Sequence, residues 1–184
     1  MKWSRDVLPC VAPSLLICGA LLLTGSAWCA DAQGIGLISM NGAILETPCD
    51  IAVGDRDQSL IMDTVPLSQI VREGRGPEQD FAIRLVECVL IPKDSAQPNW
   101  QRFAVTFDGD SDGGYFGVTG RARGVALMIR DAQGGLATPG NPLPESAITS
   151  DEMQLNYTVA LVANQEALRA GDYRSAVRFK LEYY

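Results

Sequence analysis

An antiparallel all-β sandwich, one strand short of closure, is the fold class this sequence predicts. Three observations predict it. Apolar residues recur with period two in segment after segment, turn-forming clusters separate those segments, and the last alternating segment runs to the end of the chain with nothing after it to cover its edge. Helical periodicity is scarce by comparison. At 184 residues, 47% of them hydrophobic, the chain suits one domain with a core large enough to fold alone.

The first element is not part of the fold. Lys2 and Arg5 precede the uncharged apolar run at 11–24 (VAPSLLICGALLLT), which together read as a secretory signal peptide. The alternative is a transmembrane anchor, against which stand Pro9, Pro13 and the small residues that follow at once. Ala30-Asp31-Ala32 supplies a small-x-small pattern for cleavage after Ala32. Cleavage after Ala30 is the second choice, because it leaves Trp28 where a small residue is preferred, and the same tryptophan disfavours lipid attachment at Cys29. Residues 1–32 are therefore the expected signal peptide, 33–41 an N-terminal extension and 42–184 the folded domain.

Removing the signal takes Cys10, Cys18 and Cys29 with it and leaves Cys49 and Cys88. Two cysteines in an exported chain are expected to pair, the alternative being two buried thiols. The bridge would close a loop of about 40 residues, worth roughly 4 kcal/mol in the chain-entropy account.

The strands follow in order. Phe81, Ile83 and Leu85 alternate with Ala82, Arg84 and Val86; Phe103, Val105 and Phe107 alternate with Ala104, Thr106 and Asp108; Val125, Leu127 and Ile129 form a third run; Leu155, Tyr157, Val159 and Leu161 a fourth. Turn signals stand between them at 74–77, 92–94, 109–114, 134–135 and 139–142. One helical turn is expected at 164–169, with Asn164 as cap and Ala170-Gly171 as stop, whereas 67–73 is too short to assign. The last run places Tyr173, Ser175, Val177, Phe179, Leu181 and Tyr183 on one face and Arg174, Arg178, Lys180 and Glu182 among the intervening positions.

Composition narrows the function. A formal net charge of -7 disfavours nucleic acid as a partner. The chain has no histidine, which excludes a serine or cysteine nucleophile with an imidazole base and histidine-bearing zinc sites. Asp108, Asp110 and Asp112 imitate the opening of a calcium loop, but Thr119 occupies the twelfth position, where a bidentate glutamate is required, and the flanks read as strands. Asp55-Arg56-Asp57 and Asp151-Glu152 read as solvated surface rather than paired catalytic acids, and Gly117, Gly120 and Gly124 lack the lysine of a phosphate loop. Neither an enzyme nor a cofactor or metal site is expected.

About six main strands can be counted, whereas an immunoglobulin-like sandwich needs a seventh. The final strand would then leave an unpaired edge and an apolar row open to water, an aggregation hazard. The stretch 34–41 is the matching excess: it is uncharged, and Gly36, Ile38 and Met40 share one face when extended. The economical solution is that this segment of one molecule completes the sheet of another. Two plainer alternatives are a C-terminal strand paired within its own chain and an N-terminal leader without structure.

The ordered motifs carry a resemblance. Met40-Asn41-Gly42 leads through Leu45-Glu46-Thr47-Pro48 to Cys49; Phe81-Ala82-Ile83-Arg84-Leu85 runs into Cys88; Val105-Thr106-Phe107-Asp108-Gly109, GVALMIRD at 124–131 and Ala170-Gly171-Asp172-Tyr173 through Phe179 to Tyr183 follow. Together they resemble the chaperone-usher pilus subunits of the P pilus and type 1 kind, over essentially the whole mature chain. The resemblance implies a pilin fold lacking its seventh strand, a periplasmic chaperone that lends one, and polymerisation at an outer-membrane usher by donor-strand exchange with neighbouring subunits. It also implies a cell-surface destination, with no membrane insertion once the signal is removed.

Carried over by position, Gly36, Ile38, Met40 and Gly42 would form the donor face, and Tyr173, Val177, Phe179, Leu181 and Tyr183 one wall of the acceptor groove. Tyr184 would present the carboxylate that a chaperone's basic residues grip. Filling four or five apolar pockets would contribute roughly 6–10 kcal/mol gross, at 1.5–3 kcal/mol per large side chain. A minor adaptor or linker subunit is the expected role, with a pilus-terminating or anchoring subunit as the alternative within the family, its groove closed at one end by the segment 65–77 with its polar run Arg72-Glu73-Gly74-Arg75. A carbohydrate-binding tip module is the alternative of another class; tip adhesins of this family carry an additional lectin domain, for which the chain has no room.

Overall fold

The computed structural model describes residues 46–94 and 96–184, together with Ser39, Asn41, Gly42 and Ile44. A compact unit spans Ala43–Tyr184. It begins with β1 (Asp50–Ile51), a short 3-10 turn at Val53–Asp55, α1 (Leu67–Glu73) and the long β2 (Arg75–Val86). Next come β3 (Arg102–Asp108), the small hairpin β4 (Ser111–Asp112) and β5 (Tyr115–Phe116), then β6 (Thr119–Gly120), β7 (Val125–Asp131), β8 (Leu136–Ala137) and β9 (Ser146–Ala147). The unit ends with β10 (Met153–Ala163), β11 (Tyr173–Arg174) and β12 (Arg178–Tyr183).

Period-two alternation has become two facing sheets. The larger has the order β1-β2-β10-β7-β5-β4, with β8 added beside β7; the smaller has the order β12-β3-β9, and β11 pairs with β6. Every pairing is antiparallel. Ile83 and Leu85 of β2, Tyr157, Val159 and Leu161 of β10, and Leu127 and Ile129 of β7 turn inward from the large sheet to meet Phe103, Val105 and Phe107 of β3. Phe107 ties the layers together, lying edge-on to Tyr157 at 5.0 Å and to Phe81 at 6.2 Å between ring centres. On the outer face of the large sheet, Ala126, Met128, Ala160 and Val162 make a second, small cluster under Tyr115.

Cys49 and Cys88 are bonded, as their number in the mature chain implies, and so fasten the segment before β1 to the end of β2. The bidentate pair between Arg84 and Asp55 locks the 3-10 turn to the same strand: Nε and Nη2 donate to the carboxylate at 2.9 and 3.1 Å, and the Arg84 N–H adds a third bond at 2.8 Å.

One expectation is corrected. Residues 164–169 form no helix, because the Asn164 carbonyl oxygen of the side chain accepts the Glu166 N–H at 3.1 Å in a local turn, and Arg169 exchanges backbone hydrogen bonds with Arg123. The helix stands instead at Leu67–Glu73, which the sequence left unassigned. Pro66 precedes it with φ -62°, and Gly74 ends it with φ 72°, donating its N–H to the Ile70 carbonyl at 2.9 Å.

Candidate functional site

β12 carries the site. Its register sets Arg178 opposite Asp108 and Tyr183 opposite Phe103, so one long edge is paired with β3. Tyr184 and Arg102 exchange both N–H···O bonds, at 2.9 and 3.1 Å. In an antiparallel ladder such hydrogen-bonded pairs recur every second residue, so the N–H and C=O groups of Phe179, Leu181 and Tyr183 point to the opposite edge. Among the described residues no strand pairs with that edge. The side chains of the same three residues turn toward the core and stay only half-buried, while Arg178 and Lys180 face solvent.

Where that edge begins, at Phe179, lies a groove of about 810 Å³. Ile83, Phe107, Leu127, Ile129, Val159 and Leu161 supply its floor from both sheets. One wall is Tyr173, Val177 and Phe179. The approach of that wall depends on Gly171, where a Cβ would stand 2.6 Å from the Ala122 nitrogen; the close passage lets the Asp172 carbonyl accept both the Arg121 and Ala122 N–H groups at 2.9 and 3.0 Å.

The opposite wall is the stretch 56–65, in which Leu60, Met62 and Val65 line the groove and Ile61 is largely exposed. Residues 59–65 make no backbone–backbone hydrogen bond with the described residues. Gln58 alone tethers the start of this stretch to β2, through its side-chain amide and the Ala82 carbonyl at 2.7 Å. Both rims of the groove therefore offer backbone groups without partners, over an apolar floor. A single extended peptide satisfies both demands at once: its N–H and C=O groups continue the ladder and its alternate side chains enter the groove.

One end is differently built. Ile70 of α1 is only 3% exposed and lines the groove, and Val65 approaches closely enough that a Cβ on Gly76 would meet its Cγ2 at 3.0 Å and the Leu161 carbonyl at 3.7 Å. Val65 thus stands near the Leu161 end of the floor, and Ile70 lines the same cavity. At Tyr173 the hydroxyl is buried and has no hydrogen-bond partner among the described residues, and burial pushes its pKa up.

Of the residues the sequence assigns to one wall, Tyr173, Val177 and Phe179 line the groove, while Leu181 and Tyr183 continue the same stripe past it, Tyr183 lying against Trp100 and Phe103. Tyr184 is 55% exposed, and its carboxylate makes no ion pair with a described residue. Gly42 is exposed, with open space around its Cα; Gly36, Ile38 and Met40 lie outside the described residues. Sequence reasoning put Val65 and Ile70 at the groove only as part of the segment 65–77, offered as the closure of one end in a terminating subunit, and it did not place Leu60 and Met62 there. Their signal was the apolar residues at 60–62, which no strand pattern claimed.

No metal-holding cluster occurs among the described residues, and none of the described helices is long and apolar enough to cross a membrane. No family model matches the chain. It is 31% identical over 150 residues to the PRS fimbrial minor pilin protein of Escherichia coli, an alignment covering 80% of this chain and 77% of that protein. Among solved structures, the P pilus rod subunit PapA superposes with a TM-score of 0.66 at 20% identity, over 75% of this chain and 100% of that one. A subunit from the structure of a chaperone-usher pilus superposes with a TM-score of 0.64 at 22% identity, over 83% and 97%.

Proposed function

From the premise that the chain belongs to the fimbrial pilins, the chaperone-usher pilus subunits it resembles, we propose that its groove is completed by a strand from another protein, a periplasmic chaperone first. The family is one of structural subunits and not of enzymes. The observation that carries the proposal is the outward backbone of Phe179, Leu181 and Tyr183, on a stripe that continues the wall of an apolar groove, since a free ladder edge beside half-buried side chains is a template for strand addition. In the same reading the 33–41 segment, with Gly36, Ile38 and Met40 on one face, completes the groove of a neighbouring subunit, and the outer-membrane usher is where the exchange takes place.

α1 bears on the position in the fibre. A linking subunit must both give a strand and, after the chaperone leaves, take one along its whole groove. Val65 and Ile70 line the groove on the wall that faces Leu161, where they would crowd an incoming side chain, and this supports a terminating or anchoring subunit over the adaptor that the sequence suggests. The test mixes the purified chaperone-bound subunit with a synthetic peptide of residues 33–41 (QGIGLISMN) and follows chaperone release. The wild-type complex is expected to stay inert, and the V65A/I70A variant to exchange at least ten times faster. Prompt exchange by the wild type would return the subunit to a linking position.

A further inference from the structure

The end of the domain that bears the disulfide carries a second apolar feature. After Cys88 the chain runs Val89-Leu90-Ile91, and Leu90 packs on the core while Val89 and Ile91 are 65% and 68% exposed. Such a pair standing outward on one short loop is unusual for surface that meets only water. The loop is held still. The Val89 N–H donates to the Pro48 carbonyl at 2.6 Å, the Lys93 N–H donates to the Glu46 carboxylate at 2.8 Å, and the Trp100 N–H donates to the Leu90 carbonyl at 3.0 Å.

These bonds fix the loop to the place where the N-terminal extension leaves the domain. Only three residues separate Gly42 from Glu46, and a fully extended chain spans at most about 3.6 Å per residue, so Gly42 stands no more than about 14 Å from Glu46. If residues 36–42 lie in a neighbour's groove, that neighbour's surface must come within this reach of Glu46 and hence against the loop fastened to it. Ile44, within the same short span, is fully exposed.

We propose that Val89 and Ile91, with Ile44, form a docking surface for the pilin subunit that receives this chain's N-terminal segment. The inference rests on the donor-strand reading above and adds a contact to it. The joint between the two subunits has a strand inserted in a groove and, beside it, an apolar patch that braces the short connector. Bracing matters physically because a joint held by one extended strand would otherwise pivot about residues 43–45, and each bond rotation left free costs the linkage order.

Photocrosslinking in the fibre-producing bacterium tests it. The probe is p-benzoylphenylalanine, placed singly at position 38, 89 or 91 in the full-length chain, with adducts identified by mass spectrometry. Adducts to another pilin from position 38 and from 89 or 91, the latter lost when residues 33–40 are deleted, are the expected result. An adduct from 38 with none from 89 or 91 overturns the docking surface and leaves the donor strand standing. No adduct from any of the three overturns both, and an adduct from 91 that survives the deletion shows a contact unrelated to the joint. In parallel, the V89S/I91S double variant, changed only at exposed positions, is expected to leave the fibre joint dissociating in detergent roughly ten times faster.

Discussion

The two sheets of this domain are made from the same kind of sequence and end in different states. β10 is paired along both edges, with β2 from Met153 to Val162 and with β7 from Tyr157 to Ala163, and its inward residues Tyr157, Val159 and Leu161 are at most 6% exposed. β12 alternates just as cleanly, yet it is paired along one edge and Phe179, Leu181 and Tyr183 stay half-buried. The difference teaches that alternation tells which residues require burial and says nothing of which molecule buries them. A strand with a neighbour on each side has its demand met inside the chain; β12 carries the same demand to the surface.

The largest expected effect breaks the comparison at the level of the whole domain. Produced without the proposed chaperone and without any strand-donating peptide, the chain from residue 33 onward is expected to aggregate, because the free edge and the groove offer other copies a ladder and an apolar surface together. The measurement is the soluble fraction after centrifugation, with and without co-expressed chaperone. A chain that stays monomeric and dispersed by itself would show that β12 needs no partner.

A smaller effect sharpens the comparison residue by residue. Ile83→Ala removes a fully buried side chain from the large sheet and should lower unfolding stability by about 2–5 kcal/mol whether or not a strand is supplied. Leu181→Ala should cost about 1 kcal/mol in the open domain, since much of that side chain already meets water, and clearly more once a donor strand covers it. Denaturant melts of the dilute isolated domain and of its chaperone-bound form give the two numbers. Equal costs for Leu181→Ala in the open and filled states would mean that no donor lies along β12.

What could be read before the structure divides along the same line. The strands of the large sheet, the pairing of Cys49 with Cys88 and the stripe from Tyr173 to Tyr183 are legible because period-two burial and cysteine number are local signals. The far wall is not, because residues 59–65 enter no ladder and Ile70 lies on a helix of seven residues, too short for a helical period to declare itself. Asn164 misled for a related reason: a side chain able to cap a helix is equally able to close a turn, and only the pairing of Arg169 with Arg123 decides which.

The smallest effect concerns how the two sides are joined at the large sheet's edge. Hydrogen bonds from Arg84, first from its side chain and then from its backbone N–H, hold the Asp55 carboxyl below its ordinary value of 3.8 in spite of burial. A depressed folded pKa means that the pair's contribution is fully present above the unfolded value, near pH 4, and is lost as pH falls through the folded value. Asp55→Asn should therefore narrow the stability difference between neutral and acid pH without flattening it, since other carboxylates also titrate there. The variant should leave strand acceptance unchanged, because β12 and the floor of the groove are untouched. Melting the wild type and the variant between pH 2 and 7, each as the dilute isolated domain, measures the first. A variant that matched the wild type at neutral pH and fell equally steeply in acid would show that this pair is a surface ornament and that the turn at Val53–Asp55 is held by the Ala52 N–H to Arg84 carbonyl bond, 2.9 Å long, without it.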